Sequence, residues 1–417
     1  MRFRIIIYLL LSSSLLLAQQ RMPYAEPEYD FINLDSSYFQ MPGCSVYFDG
    51  FYEKMAELIF QGKGNLKIMH IGASHVQAGM WSWALRHAFE SLTNYNKTAP
   101  GFLFPFSLAK TNHPFFYKST FNGNWDFQRI TDKTEEFPMG LGGITGICCD
   151  TLCELNFTFN PVANIQNRSF DKLSLFHNIS DDSYIITCIP EDNVKLQFYD
   201  YEQSKTVFLL NNPTENLQFS IKKNYKCFED DKRDEFYLYG ILTENNNYGV
   251  EVFPIGINGA NTGSYLKSEL LEKHLCAFDP DLIIFSIGVN DAAGSSFSEE
   301  RYTANYDSLL FKIREQYPSV AILLTTNTDF YNYRSGHNPN ASKVKNSMLI
   351  NAKKYDAAVW DVHSVMGGNK SINYWRSNNL AQRDRIHFNR DGYTLLGNLL
   401  FEAILGDFEK YLVKQTY

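Results

Sequence analysis

The chain has 417 residues, a net charge of −8 and 20% charged residues. A single hydrophobic core usually stops growing at about 250 to 300 residues, so one large domain and a smaller one are expected. The acidic balance, without clusters of Lys or Arg, excludes the basic footprint that a nucleic-acid partner requires; a neutral or weakly charged substrate fits better.

Arg2 and Arg4 precede an apolar run at residues 5–17 and a small Ala18, the pattern of a secretory leader cleaved near residue 19. About 13 apolar residues interrupted by Ser12, Ser13 and Ser14 fall short of the roughly 20 that a membrane span needs. No Cys follows the run to carry a lipid anchor, and no later stretch is long and apolar enough for a stable membrane span. A periplasmic or secreted protein is therefore expected.

Next in the chain, an apolar run at 66–71 ends in Gly72-Ala73-Ser74-His75 and leads into a helical pattern from about residue 81 to 92. Between 115 and 252 the helical period disappears. Strand-like runs at 172–176, 184–189, 194–199, 206–210, 217–221, 236–242 and 250–253 alternate with turn-forming clusters such as 190–193 and 211–213. This texture predicts an inserted β-sandwich or jelly roll. After 253, apolar runs at 281–287 and 320–325 are of the kind buried on both faces of a parallel sheet. A short run at 357–360 and helical patterns at 264–278, 299–317, 341–355 and 393–405 complete the series. The expected fold class is α/β, a three-layer α/β/α sandwich with a parallel sheet, built from 45–114 and 253–417 and interrupted by the β insertion at 115–252.

Seven cysteines, Cys44, Cys148, Cys149, Cys153, Cys188, Cys227 and Cys276, leave at least one without a partner in the same chain. The cluster at Cys148, Cys149 and Cys153 lacks the paired spacing or nearby His of a zinc site. Buried small thiols are expected there.

Three further motifs accompany Gly72-Ala73-Ser74-His75: Gly256-Ile257-Asn258-Gly259, Gly288-Val289-Asn290-Asp291 and Asp384-Arg385-Ile386-His387. In an open parallel sheet the loops beyond the carboxyl ends of the strands converge, and Ser74, Gly259 and Asn290 each follow an apolar run. A Ser hydroxyl needs a base to become a nucleophile; His387 is the candidate base, and Asp384, three residues earlier, can fix its tautomer. The backbone amides of Ser74 and Gly259 with the Asn290 side chain would make an oxyanion hole. Taken singly, each motif also reads as structure: a tight turn, a helix cap at Asn290 or Asp291, an exposed loop pair. Their joint order points to a serine hydrolase. His75 reads equally well as pocket lining or as a turn cap, and His363 lacks an Asp at comparable spacing. Trp81, Trp83 and Trp375 are candidates for sugar contact by residue type alone.

The four motifs resemble the signature blocks of the SGNH (GDSL-type) hydrolase superfamily, with its Ser, Gly, Asn and His falling on Ser74, Gly259, Asn290 and His387 and its acid on Asp384. The resemblance covers about residues 45–110 and 250–410. The leader, the β insertion between the first two blocks, Leu238-Tyr239-Gly240 and Ile255-Gly256-Ile257-Asn258-Gly259-Ala260 resemble more narrowly the bacterial peptidoglycan O-acetylesterases, in which the insertion looks like a carbohydrate-binding module. The resemblance implies removal of acetyl groups from an acetylated glycan outside the cytoplasm, with no metal or organic cofactor. A glycan O-acetyltransferase or a glycan-binding pseudoenzyme of the same fold are the alternatives. The family's Gly-Asp-Ser is here Gly72-Ala73-Ser74; the replaced Asp lies outside the Ser/His/Asp relay and in the family helps hold the nucleophile loop.

Overall fold

Mostly apolar runs build the central sheet because its inner strands are covered on both faces. Its strands are β1 (Phe39–Gln40), β2 (Asn65–Gly72), β3 (Gly249–Gly256), β4 (Leu282–Ser286), β5 (Ala321–Thr325) and β6 (Ala358–Trp360), in the order β1-β6-β5-β4-β2-β3. All pairs are parallel except β1 with β6, at one edge. This computed structural model describes residues 29–415 apart from 45, 93–97, 135, 161–168, 179–182, 225–234, 294–295 and 333–335. The leader expected at 1–19 and Cys227 lie outside the described residues.

Side chains alternate across the sheet. Ile68, Ile284 and Leu323 pack with residues of α1 (Val46–Gln61), α2 (Met80–Leu92) and α5 (Arg390–Gln415), among them Phe51, Leu85 and Leu400. Ile283, Ile322 and Leu324 face the other way, toward Leu310 of α3 (Glu299–Gln316) and Met348 of α4 (Ala341–Tyr355). These are the three layers expected from the alternation of strands and helices. Among the described residues no helix is long and apolar enough to cross a membrane.

The insertion is a sandwich of two antiparallel sheets. One runs in the order Val194–Asp200, Lys205–Thr214, Phe170–His177, Phe236–Glu244, Ile144–Cys148 and Trp125–Arg129, with Gly101–Leu103 also against Phe236–Glu244; the other is Tyr117–Asn122, Leu152–Phe159, Leu217–Lys223 and Tyr184–Ile189. Aromatic contacts join them, with Phe208 against Phe219 at 5.8 Å and Tyr184 against Phe236 at 5.5 Å between ring centroids. Phe278, from the loop before β4, packs on both Phe102 and Phe253, at 5.7 and 5.3 Å. The sandwich therefore shares apolar core with the α/β layers.

Four expectations change. The run at 250–253 belongs to the parallel sheet, not to the insertion: Val250 pairs with Leu66 and Gly256 with Gly72. Conversely, Gly101–Leu103 pairs with a sandwich strand, so antiparallel pairing begins ahead of residue 115. The helix expected at 264–278 is two short turns, Thr262–Tyr265 and Leu271–Leu275, the first closed by a reciprocal capping box between Asn261 and Ser264. Finally, Cys148 and Cys153 are disulfide-bonded, with Cα atoms 6.5 Å apart. They lie on consecutive strands of opposite sheets, so the short connection brings two inward-facing thiols together. Among the described residues Cys149 is exposed and Cys188 is the only free cysteine that is buried.

Candidate active site

The nucleophile candidate sits where β2 ends. A Cβ on Gly72 would collide with Val76 and with the Ser286 carbonyl of the neighbouring strand, so glycine lets the chain turn sharply there. The Ala73 carbonyl then accepts the Val76 and Gln77 N–H groups at 3.1 and 2.9 Å, closing the single helical turn Ser74–Gln77. The long helix follows only at Met80.

Ser74 Oγ lies 2.9 Å from His387 Nε2, and His387 Nδ1 lies 2.7 Å from Asp384 Oδ2. Asp384 Oδ1 also accepts the Ile386 and His387 N–H groups at 2.9 and 3.0 Å. Burial works to raise the Asp384 pKa, but the bonds from the His387 ring and from the two backbone amides outweigh it and hold the carboxyl below its ordinary range. The acid is thus ionised where His387 must carry a proton. Arg385, between the two, adopts a left-handed conformation, φ 56°. Its carbonyl accepts the Tyr331 N–H at 2.9 Å and its guanidinium lies 3.9 Å over the Tyr331 ring.

His75, left open by the sequence, is buried behind the relay. Its Nδ1 is 2.9 Å from the Tyr393 hydroxyl and its ring centroid 5.4 Å from that of His387. Burial, reinforced by the nearby His387, lowers its pKa to about 3, so it stands as a neutral wall against which His387 is oriented.

Gly259 has φ 81° and its missing Cβ would meet only Thr131, at 3.9 Å; here glycine is required by backbone conformation rather than by space. The loop before it is clamped to the nucleophile turn. Gln77 Oε1 accepts the Asn258 N–H at 2.7 Å, while Gln77 Nε2 donates to Thr111 Oγ1 and to the Asn112 carbonyl, both at 3.1 Å. Asn258 Nδ2 donates to the same two residues, to Thr111 Oγ1 at 3.0 Å and Asn112 Oδ1 at 2.6 Å. Asn290 Nδ2 donates to the Ala260 carbonyl at 2.7 Å. An amide nitrogen carries two hydrogens, so Asn290 can anchor this loop with one and present the other to an oxyanion.

The structure therefore brings Ser74, His387 and Asp384 into one relay and sets Gly259 and Asn290 beside it. Asp291 lies inside the short helix Val289–Ala293 rather than capping the segment after it, and ties that turn to the Gly259 loop by accepting from Thr262 Oγ1 at 2.6 Å and from the Thr262 N–H at 3.1 Å. His363 stays out of the relay, with Nε2 3.7 Å from Asp329. Trp81 and Trp375 are only 1% and 0% exposed, which removes them as sugar contacts; Trp83 is partly exposed, stacked on His87 with centroids 5.4 Å apart. Gln77, Thr111 and Asn112 escaped sequence reasoning. The signal available was a buried-turn Gln three residues after the nucleophile.

Residues 222–395 match the GDSL-like Lipase/Acylhydrolase family, a span that holds Gly259, Asn290, Asp384 and His387 but not Ser74. Over nearly its full length the chain superposes on a peptidoglycan O-acetylesterase, with a TM-score of 0.67, 18% identity, and coverage of 89% of this chain and 99% of that one. This is an SGNH hydrolase fold. Shorter spans of the chain match an acetyl xylan esterase (TM-score 0.30, 20% identity, 37% of this chain and 81% of that one). A lipase/acylhydrolase from Enterococcus faecalis also matches (TM-score 0.31, 24% identity, 38% and 77%). Among curated proteins no sequence relative matches.

Proposed function

We propose that the protein is an exported serine esterase that removes O-acetyl groups from a cell-wall or other polysaccharide through an acyl-Ser74 intermediate. The observation that carries this reading is the Ser74–His387–Asp384 relay at 2.9 and 2.7 Å; the full-length fold similarity, sandwich included, supports the choice of a glycan ester. Ser74 Oγ attacks the acetyl carbonyl carbon as its proton passes to His387 Nε2. The oxyanion is met by the Ser74 and Gly259 N–H groups and by Asn290 Nδ2. On collapse, the ester bond breaks, His387 returns the proton to the departing sugar oxygen, and the acetyl group stays on Ser74. A water deprotonated by His387 then attacks the acyl carbon, releasing acetate and restoring Ser74.

The His387 side chain is 35% exposed, which favours water as the acceptor over the sugar hydroxyl that an acetyltransferase would need to shelter from water. The hydrogen-bonded relay forms with Ala73 in place of the family's Asp, which speaks against the pseudoenzyme reading. The test is acetate release from 4-nitrophenyl acetate and from O-acetylated peptidoglycan. Release by the wild type that falls about a thousandfold or more in Ser74→Ala supports the reading; release that survives the substitution overturns it.

A further inference from the structure

The helix that carries Asn290, Val289–Ala293, has only five residues. A helix this short is unfavourable alone, since its first turn fixes the dihedrals of several residues for one hydrogen bond. Its shape must therefore be held from outside. At its start, Asn290 donates to the Ala260 carbonyl and Asp291 accepts from Thr262. At its other end the last carbonyls have no partner within the helix, and two asparagine amides meet them. Asn332 Nδ2 donates to the Ala293 carbonyl at 2.8 Å and Asn340 Nδ2 to the Ala292 carbonyl at 3.1 Å.

Asn332 belongs to a hairpin, Tyr331–Asn332 against Gly336–His337, which also touches the loop of the base. The Tyr331 N–H donates to the Arg385 carbonyl at 2.9 Å, and the Tyr331 ring lies under the Arg385 guanidinium at 3.9 Å. Arg385 is the left-handed residue between Asp384 and His387. That conformation is unfavourable for a residue with a Cβ, so it persists where neighbours hold it. The hairpin is itself fixed at its root. Phe330 is fully buried, and Asp329, buried as well, accepts the Ile372 N–H at 2.9 Å and lies 2.6 Å from His337 Nε2 on the return strand. One anchored hairpin thus makes contact with both the base loop and the oxyanion helix, which are far apart in the chain.

We infer that this hairpin, together with Asn340, sets the separation between the base and the oxyanion donor. Asn332 and Asn340 are positioning residues for Asn290, and Tyr331, acting through Arg385, is a positioning residue for His387. The inference rests on the serine-esterase reading above and deepens it. In one transition state His387 holds the proton taken from Ser74 while Asn290 donates to the oxygen of the same carbonyl, so an error in their spacing weakens both interactions.

The test is a double-mutant cycle on 4-nitrophenyl acetate, with each chain shown to be folded by its thermal transition and assayed well below it. Asn332→Ala and Asn340→Ala should each lower kcat about tenfold with KM within about twofold, the scale of a lost hydrogen bond that places a donor. In an Asn290→Ala background, where no donor is left to misplace, the same substitutions should cost less than about twofold. Tyr331→Ala should also cost about tenfold, but it should keep that cost in the Asn290→Ala background because it acts on His387. Tyr331→Phe, which retains the ring and the backbone N–H, should keep the wild-type rate. Asparagine losses of equal size in both backgrounds, losses confined to KM, or no loss at all would overturn the inference. Amide hydrogen exchange reads the same linkage without turnover. The Ala292 N–H should exchange about tenfold faster in Asn332→Ala and Asn340→Ala, and the Ile386 and His387 N–H groups about tenfold faster in Tyr331→Ala; unchanged exchange in both segments would likewise overturn the inference. Absence of Ser74-dependent acetate release in the wild type, with exchange altered as expected, would instead sink the esterase reading alone.

Discussion

In the parallel sheet the loops after β2, β3 and β4 bring Ser74, Gly259 and Asn290 to one edge. The sandwich, by contrast, is much the richer in strands but meets that edge through its bordering loops, among them Thr111 and Asn112, Ile130 and Thr131, and Gly143 against Ile257. Strand ends in a parallel sheet all point their loops the same way, so residues far apart in sequence can be gathered with no loop of great length. Antiparallel strands send successive loops to opposite ends and cannot gather a site in this manner. The comparison assigns the reacting groups to the sheet and the shaping of what reaches them to the sandwich.

Asn290→Ala offers the hardest test of the sheet's half of this division. Loss of one oxyanion donor should lower kcat for 4-nitrophenyl acetate by about 10²- to 10³-fold with KM little changed; a change confined to KM would move Asn290 from the reacting centre to substrate binding.

The junction between the two regions can be probed through Glu251 of β3. It is 1% exposed and lines a cleft shared with Lys172 and Lys195 of the sandwich. Burial pushes its pKa up to about 7, against the partial opposition of Lys67 and Asn65. The folded chain thus keeps a proton that the unfolded chain releases above an ordinary value of 4.5. Stability from this group is complete below that value and is lost as pH rises toward 7, by on the order of 3 kcal/mol. Glu251→Gln should therefore raise Tm over the wild type at pH 8 and lose that advantage at pH 4.5. An equal difference at both values would show that the carboxyl is not the source.

Gln77 links the regions directly, since its amide holds Asn258 on one side and Thr111 and Asn112 on the other. Gln77→Ala should cost about tenfold in kcat, the scale of one or two hydrogen bonds that position a donor rather than supply it. Gln77→Glu, which keeps the acceptor for the Asn258 N–H, should retain more of the rate. A loss in Gln77→Ala as large as that in Asn290→Ala would mean that the clamp is part of the oxyanion site itself.

The runs that became β4 and β5 were legible because burial on both faces leaves an unbroken apolar string, and β2 because it ends in the Gly72-Ala73-Ser74-His75 motif although Lys67 and His70 interrupt its string. β3 was misread as part of the insertion because the buried Glu251 interrupts its string and imitates the alternation of a half-exposed strand. The Cys148–Cys153 bond was hidden for a different reason: sequence does not tell that two adjacent strands belong to opposite sheets. At the site, Ser74, Gly259, Asn290, Asp384 and His387 could be read because each sits in a short motif beside an element boundary. The Gln77 clamp could not, since its partners at 111, 112 and 258 meet only when the sandwich docks beside the sheet. The support of the nucleophile loop was likewise invisible: with Ala73 in the motif, Gly72 and Gln77 contribute contacts that hold the turn.

The central claim, that Ser74 is a working nucleophile on this sheet edge, is tested most directly by trapping its acyl-enzyme. The purified chain would be mixed with O-acetylated peptidoglycan, quenched in acid within the first turnovers and digested for mass spectrometry. The account predicts one added acetyl group on the peptide containing Ser74, accumulating in wild type and missing in Ser74→Ala. Acetate release without acetylation of that peptide, even in rapidly quenched samples, would contradict it.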